Sequence, residues 1–356
     1  MIVPKKNQLI GIDIGSYSIK IVEIEHKKKE KVLKNIGIAY LPLLAVSPSG
    51  IRDSEAVKTA ISNLFQNLKI KNKKVAIGLS ASSIITKKIS LVESEELNLE
   101  EVIKEEAERF IPFDMDEIYL DYDIMDTIYE ENEEIARLEI IVVASKKDLV
   151  ESYVKILKEI NLAPSIVDVD ILAMQNVFEL SNPNIDIEKI YLLVDIGAST
   201  INTNAVKGNI SLFIRSSQTG GISITKRIMK EFQIGFEEAE KIKFGIIELE
   251  GDQKKKVRNI FRETVEEWVN EIRGNIQFIH NSYPGEEIEK IFITGGSTNI
   301  LNLEKFFEKE LELPVERLDP FSGLTIDKNI DPSYLDFIKA QSTIAVGLGL
   351  RKIADK

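Results

Sequence analysis

The chain has 356 residues, a formal net charge of −12 and 44% hydrophobic residues, enough apolar material to bury two cores. Its acidity, with no continuous Lys/Arg stripe, argues against nucleic acid as a main partner. The absence of cysteine excludes disulfides and thiolate metal sites, and the two histidines, His26 and His280, sit in polar contexts that suit ordinary surface roles.

The segment 1–6 lacks the apolar core of a signal peptide, and no stretch approaches the roughly 18 apolar residues that span a bilayer, so a cytoplasmic protein without direct membrane insertion is expected. Three strands open the chain, Leu9 to Ile14, Ile19 to Glu25 and Val32 to Ala39. A helix from Ser54 to Leu68 follows, with Ser54 as its N-cap and Val57, Ile61, Leu64 and Leu68 at helical spacing. Val75 to Leu79 reads as a strand buried on both faces.

A different unit occupies about 84–160. Strand-like Ile84 to Ser90 leads to a helix near Leu99 to Phe110 that Pro112 ends; strands at Glu117 to Met125 and Leu138 to Ala144 precede a helix from Asp148 to Ile160. This is a small α+β insert. Ser165 to Val169 is a short strand and Ile171 to Leu180 a helix, after which Asn182-Pro183-Asn184 marks the boundary between two lobes, 1–188 and 189–356.

The second lobe restarts with the pattern of the first. Leu9-Ile-Gly-Ile-Asp-Ile-Gly-Ser-Tyr-Ser-Ile-Lys20 and Leu192-Leu-Val-Asp-Ile-Gly-Ala-Ser-Thr-Ile201 share an apolar run, an Asp, an apolar-Gly pair and small hydroxyl residues. Each reads as a strand ending in a tight turn. Helices then fill Ser223 to Phe232, Phe236 to Phe244 and Lys255 to Asn281, a helical subdomain at about 223–285. A third strand, Ile291 to Thr294, ends at Gly295-Gly296, ahead of a helix from Asn299 to Leu311. A last helix from Ser333 to Ile353 carries Ala345-Val-Gly-Leu-Gly349, whose glycines lower helix stability and imply close packing against another backbone.

Gly15 and Gly197 permit turns whose N–H groups, with the hydroxyls of Ser16, Tyr17, Ser18, Ser199 and Thr200, point at anionic oxygens. An Asp in such a turn repels phosphate unless it faces a hydrated Mg²⁺, which gives Asp13 and Asp195 a role. One copy alone is more simply a strand ending in a turn. Two copies, with Gly295 and Gly296 where a flat nucleoside can lie on the backbone, point to a polyphosphate held between lobes.

In this order and spacing the motifs resemble the actin-like ATPase superfamily along nearly the whole chain. The resemblance implies an α/β, two-lobed, ribonuclease H-like duplicated fold with the insert in the first lobe, and ATP and Mg²⁺ as cofactors. Gly15, Ser16, Tyr17, Ser18 and Lys20 would form the first phosphate motif, Gly197, Ala198, Ser199 and Thr200 the second, and Gly295, Gly296 and Ser297 the adenosine motif. Asp13 and Asp195 would face the metal. The helix 171–180 and Ala345 to Leu350 would connect the lobes. Glu240 and Lys243 would reach ribose and adenine, although their spacing alone favours an exposed face of i,i+3 charges. Asp170, ahead of the first connecting helix, would orient the attacking water, with Asp168 as the alternative; being a methylene shorter than the superfamily's Glu or Gln, it implies slow or partner-dependent hydrolysis.

Within the superfamily the chain is most similar to the PilM family of the type IV pilus platform, through Glu105-Glu-Ala-Glu-Arg-Phe-Ile-Pro-Phe-Asp114 and Leu120-Asp-Tyr-Asp123. That resemblance implies docking of the cytoplasmic N-terminal peptide of a PilN-like membrane protein near Phe110, Ile111, Pro112 and Phe113, contacts with other pilus assembly proteins, and recruitment to the inner face of the membrane. The alternatives are a filament-forming division ATPase like FtsA, which self-associates and ordinarily carries a membrane tail not seen before Lys356, and a small-molecule kinase of the same superfamily.

Overall fold

The computed structural model describes residues 8–28, 30–92, 98–129 and 136–353; the segment 1–6 and Lys356 lie outside them. Lobe I begins with the antiparallel meander β1 (Ile10–Ile14), β2 (Ser18–His26) and β3 (Lys31–Tyr40), followed by a short hairpin, β4 (Val46–Ser47) and β5 (Gly50–Ile51). Helix α1 (Ser54–Asn67) leads to β6 (Lys74–Leu79), which lies parallel to β1. Ser54 is the first helical residue of α1 rather than its cap: the carboxylate of Asp53 accepts the Ala56 N–H at 3.0 Å, the stronger acceptor taking the N-cap place.

The insert is a three-stranded antiparallel sheet with β7 (Ile85–Val92), helix α2 (Leu99–Glu108), β8 (Ile118–Tyr129) and β9 (Ala136–Lys146). Its strand order is β7-β9-β8, and α2 packs Ile103 and Ala107 on one face. The next helix, α3 (Lys147–Glu159), buries Tyr153, Ile156 and Leu157 in the core of lobe I beside Val57, Ile61 and Val75, so it is a layer of the lobe and not of the insert. Then β10 (Ala163–Val169) joins the far side of β6 and runs directly into α4 (Asp170–Ser181).

Lobe II repeats the plan: β11 (Ile190–Ile196), β12 (Ile201–Lys207) and β13 (Ile210–Ser217) form a meander, and helices α5 (Gly221–Phe232), α6 (Phe236–Lys243) and α7 (Gly251–Ser282) make the helical subdomain. The parallel strands β14 (Ile288–Thr294) and β15 (Val315–Arg317) flank helix α8 (Leu303–Leu311). The chain then returns to lobe I, where β16 (Thr325–Ile326) pairs with β3, and ends in α9 (Pro332–Ile338) and α10 (Thr343–Leu350).

The two sheets share one topology. Lobe I runs β10-β6-β1-β2-β3 with β16 added at the edge, and lobe II runs β15-β14-β11-β12-β13. Between them lie α4 and α10, which cross where a Cβ on Gly347 would stand 1.9 Å from the Ala173 carbonyl oxygen. On its other side α10 presses on β1, where a Cβ on Gly11 would meet the Ala345 oxygen at 2.2 Å. The small residues therefore set the spacing of the two lobes, as their placement in the sequence implies. The central core, with Met174, Phe178, Tyr191, Phe292 and Val346, belongs to both lobes.

Two further expectations need correction. The helix expected from Ser333 to Ile353 is broken at a 3₁₀ turn, Lys339–Gln341. Tertiary hydrogen bonds cause the break: the Ala340 carbonyl accepts the Gly295 N–H at 2.7 Å and the Thr294 hydroxyl at 3.2 Å, so it cannot serve a continuous helix. Nor is His26 on the surface. It is buried at the end of β2, its Nε2 3.4 Å from the Gly349 carbonyl oxygen, whereas His280 is exposed on α7.

Candidate functional site

Both hairpin turns are closed in the same way. The Gly15 N–H donates to the Ser18 carbonyl at 3.1 Å, and the Gly197 N–H to that of Thr200 at 2.9 Å. In each, the Asp at the strand end is paired across the hairpin with the residue seven positions on, Asp13 with Lys20 and Asp195 with Asn202. The side chains repeat that pairing. Lys20 Nζ donates to Asp13 Oδ2 at 3.0 Å, and Asn202 Nδ2 lies 3.4 Å from Asp195 Oδ2. Asn202 was not among the residues expected at the site, although the seven-residue spacing that gives Lys20 its place also points to it.

The turns face one another across a cleft between the lobes. Asp13, Gly15, Ser16, Tyr17, Ser18 and Lys20 line it from lobe I, and Asp195, Gly197, Ala198, Ser199 and Thr200 from lobe II. Gly295 and Gly296 form one wall. A Cβ at Gly295, whose φ is +93°, would stand 2.4 Å from an Asp195 carboxylate oxygen, so this loop requires glycine. Ser297 lines the neighbouring recess and donates its hydroxyl to the Gly197 carbonyl at 2.8 Å, which ties the third motif to the second.

Asp170 enters the floor of the cleft from the first residue of α4. One carboxylate oxygen accepts the Ala81 N–H at 3.0 Å, and the other lies 3.3 Å from Asn202 Nδ2. One amide thus spans Asp170 of lobe I and Asp195 of lobe II. Burial raises the pKa of Asp170 well above the ordinary carboxyl range, the Asp195 charge adds to this, and the Ala81 N–H opposes it. Burial, then Asp13, pushes Asp195 up to about 6 against the pull of Lys20. Asp168 stands apart, in an ion pair with Arg351 at 3.1 Å.

A second recess opens beside the first, sharing Tyr17, Ala198, Gly296 and Gln341 with it and adding Tyr40, Phe236, Glu240 and Lys243. Tyr17 reaches across from the first hairpin to meet Tyr40 and Phe236 in tilted ring contacts at centroid distances of 5.2 and 5.9 Å. Its burial, then the Glu240 charge, pushes the phenol up to about 12. The spacing-based reading of Glu240 and Lys243 as exposed charges is overturned: both are buried, paired with each other and with the Thr225 hydroxyl. Burial lowers the Lys243 pKa, and Glu240 opposes that. The pairing arises because α6 packs that face on α5 rather than turning it to water.

In the insert, Phe110 and Ile111 close the subdomain's own cluster with Ala107 and Ile118. Pro112 and Phe113 instead line a recess against Ser82, Ile84 and Ile85, with Lys146 Nζ 3.9 Å from the Phe113 ring centroid. Among the described residues, no helix is long and apolar enough to cross a membrane, and no three His, Cys, Asp or Glu side chains converge closely enough to hold a metal by themselves.

The family model for the type IV pilus assembly protein PilM matches residues 11–353. Among solved structures, the chain is similar to one of a PilM-PilN type IV pilus biogenesis complex, with a TM-score of 0.84 and 22% identity over 96% of this chain and 98% of that one. It shares its fold with the ethanolamine utilization protein EutJ from Carboxydothermus hydrogenoformans, at a TM-score of 0.57 and 12% identity, covering 99% of this chain and 92% of that one. MreB5 of Spiroplasma citri, solved bound to AMPPNP, gives 0.54 and 13% over 97% and 95%. With a duplicated sheet topology, an interlobe cleft and a match along nearly its whole length, the chain belongs to the PilM family of type IV pilus assembly proteins and has the actin-like fold.

Proposed function

We propose that this chain binds Mg²⁺–ATP between its lobes and docks the cytoplasmic N-terminal peptide of a PilN-like membrane protein, which holds it at the inner face of the membrane. The observation that carries the nucleotide reading is the pair of identically closed glycine turns facing one cleft. The donor set fits the group. Three carboxylates, Asp13, Asp170 and Asp195, share the cleft with one Lys; burial, and after it their mutual repulsion, raises the pKa values of Asp170 and Asp195. Mg²⁺ beside Asp13 and Asp195, held through water and phosphate oxygens, would supply the positive charge that the site lacks.

The backbone N–H groups around Gly15 and Gly197 bind phosphate oxygens, Lys20 adds a point charge, and Gly295 and Gly296 leave room for the ribose and base beside Tyr17. Asp170, with its raised pKa, positions a water and accepts its proton. Its short side chain is already held by Ala81 and Asn202, which keeps hydrolysis slow. That the MreB5 structure of the same fold holds AMPPNP supports the nucleotide reading, and the PilM-PilN complex supports the partner. For the peptide, the recess of about 340 Å³ between Pro112, Phe113 and the Ser82–Ile85 segment suits an extended apolar chain.

Titrating the protein with that peptide, with and without Mg²⁺–ATP, while following phosphate release, tests the reading. Tighter peptide binding with nucleotide and turnover below about 1 s⁻¹ are expected. Equal affinities would remove the coupling between the cleft and the insert.

A further inference from the structure

The end of the lobe I sheet that faces away from the cleft is a basic pole. The registers Ile10↔Glu23, Ile10↔Val75 and His26↔Lys31 bring the start of β1, the end of β2 and the starts of β3 and β6 to one side. Two connections cap it: Lys27, Lys28, Glu30 and Lys31 between β2 and β3, with Lys29 outside the described residues, and Lys69-Ile70-Lys71-Asn72-Lys73-Lys74 between α1 and β6. The Asn72 side chain donates to the Gln8 carbonyl at 2.8 Å, and Gln8 bridges Lys352, which ties the chain's two ends to this pole. In the order β6-β1-β2-β3 the connections lie two to three strands apart, roughly 10–15 Å.

Among their described residues, these connections hold seven lysines and one carboxylate, Glu30, which pairs with Lys27 at 2.9 Å. Lys28, Lys69, Lys71, Lys73 and Lys74 are exposed. The chain as a whole carries −12, so positive charge is segregated here against the general balance. Lys69, Lys71 and Lys73 also rim a shallow recess floored by Ile61, Phe65, Ile70 and Leu162.

We propose that this pole is a docking surface for an anionic lipid bilayer. Its positive charges among the described residues of the two connections are all lysine, which attracts a diffuse layer of headgroups without the forked geometry that arginine offers to individual phosphates. The exposed residues of the two connections include no aromatic ring on which a nucleic-acid base could stack. The chain as a whole is acidic, which favours pole-down contact; the second basic run, Lys254-Lys255-Lys256-Val-Arg258 on α7, is the competing face. The surface works without nucleotide or peptide, so its failure and that of the proposed function are separable.

Flotation with protein-free vesicles tests it, using phosphatidylglycerol mixed into phosphatidylcholine against phosphatidylcholine alone, with no nucleotide present. Binding is expected to the anionic vesicles only, and to fall as salt rises from about 0.1 M to about 0.5 M. Lys69→Gln/Lys71→Gln/Lys73→Gln should lower the partition constant about 100-fold. The Glu version should abolish binding, and circular dichroism checks that each variant is folded. Lys254→Glu/Arg258→Glu/Arg262→Glu makes the same change of net charge on α7 and should stay within about threefold of the original protein. No flotation, or equal losses in the pole and α7 variants, would overturn the proposal, as would binding of soluble polyglutamate at the pole in place of vesicles.

Discussion

Burying Asp195 beside Asp13 costs the empty cleft stability whenever its carboxyl is ionised. The folded pKa is about 6 against an ordinary 3.8. Below that lower value the group is protonated in both folded and unfolded chains, and no penalty exists. The penalty grows as pH rises toward about 6 and is complete above it, reaching about 3 kcal/mol at most. Asp195→Asn should therefore raise the melting temperature of the nucleotide-free protein at pH 7, and the gain should vanish toward pH 4; thermal denaturation across that range measures it. A variant no more stable than the original at pH 7 would contradict this electrostatic account. At this scale the sequence was partly legible. The duplicated motif gives Asp13, Asp195 and their turns, and its register also holds Asn202. The burial of Glu240 and Lys243 was not legible, because i,i+3 charges have the same spacing on a wet face and on one packed against α5.

The crossing of α4 and α10 sets how closely the lobes approach. At Gly347 the extra methyl of alanine improves helix propensity by about 1 kcal/mol, but it would stand 1.9 Å from the Ala173 carbonyl oxygen. The clash outweighs the propensity, because both helices are fixed by a core common to the two sheets. Gly347→Ala is expected to cost about 3 kcal/mol or more in chemical denaturation, whereas a stabilised variant would show that the crossing is loose. Most elements were legible from apolar periodicity, since strands such as β1 and β11 are buried on both faces and read as unbroken apolar runs. The break between α9 and α10 was not, because every residue there tolerates a helix. Its cause is a hydrogen bond to Gly295, distant in the chain.

For the whole molecule, duplication explains both architecture and site. Two meanders of the same strand order, each closing its first hairpin on a glycine, are held back to back by α4 and α10, so their turns meet at one cleft. The insert and helical subdomain are added to this frame without altering either sheet. Stability and ligand binding are thereby joined: the cleft gathers carboxylates that the nucleotide-free protein carries at a cost, and a ligand that neutralises them stabilises the fold. Calorimetric titration with ATP, with Mg²⁺ and then with EDTA, on the original protein and on Asp195→Asn, reads this most directly. Saturable one-to-one binding that needs both the metal and Asp195 is the predicted result. Absence of binding, or equal affinity with EDTA or with the variant, would contradict a Mg²⁺–ATP clamp built from the two hairpins.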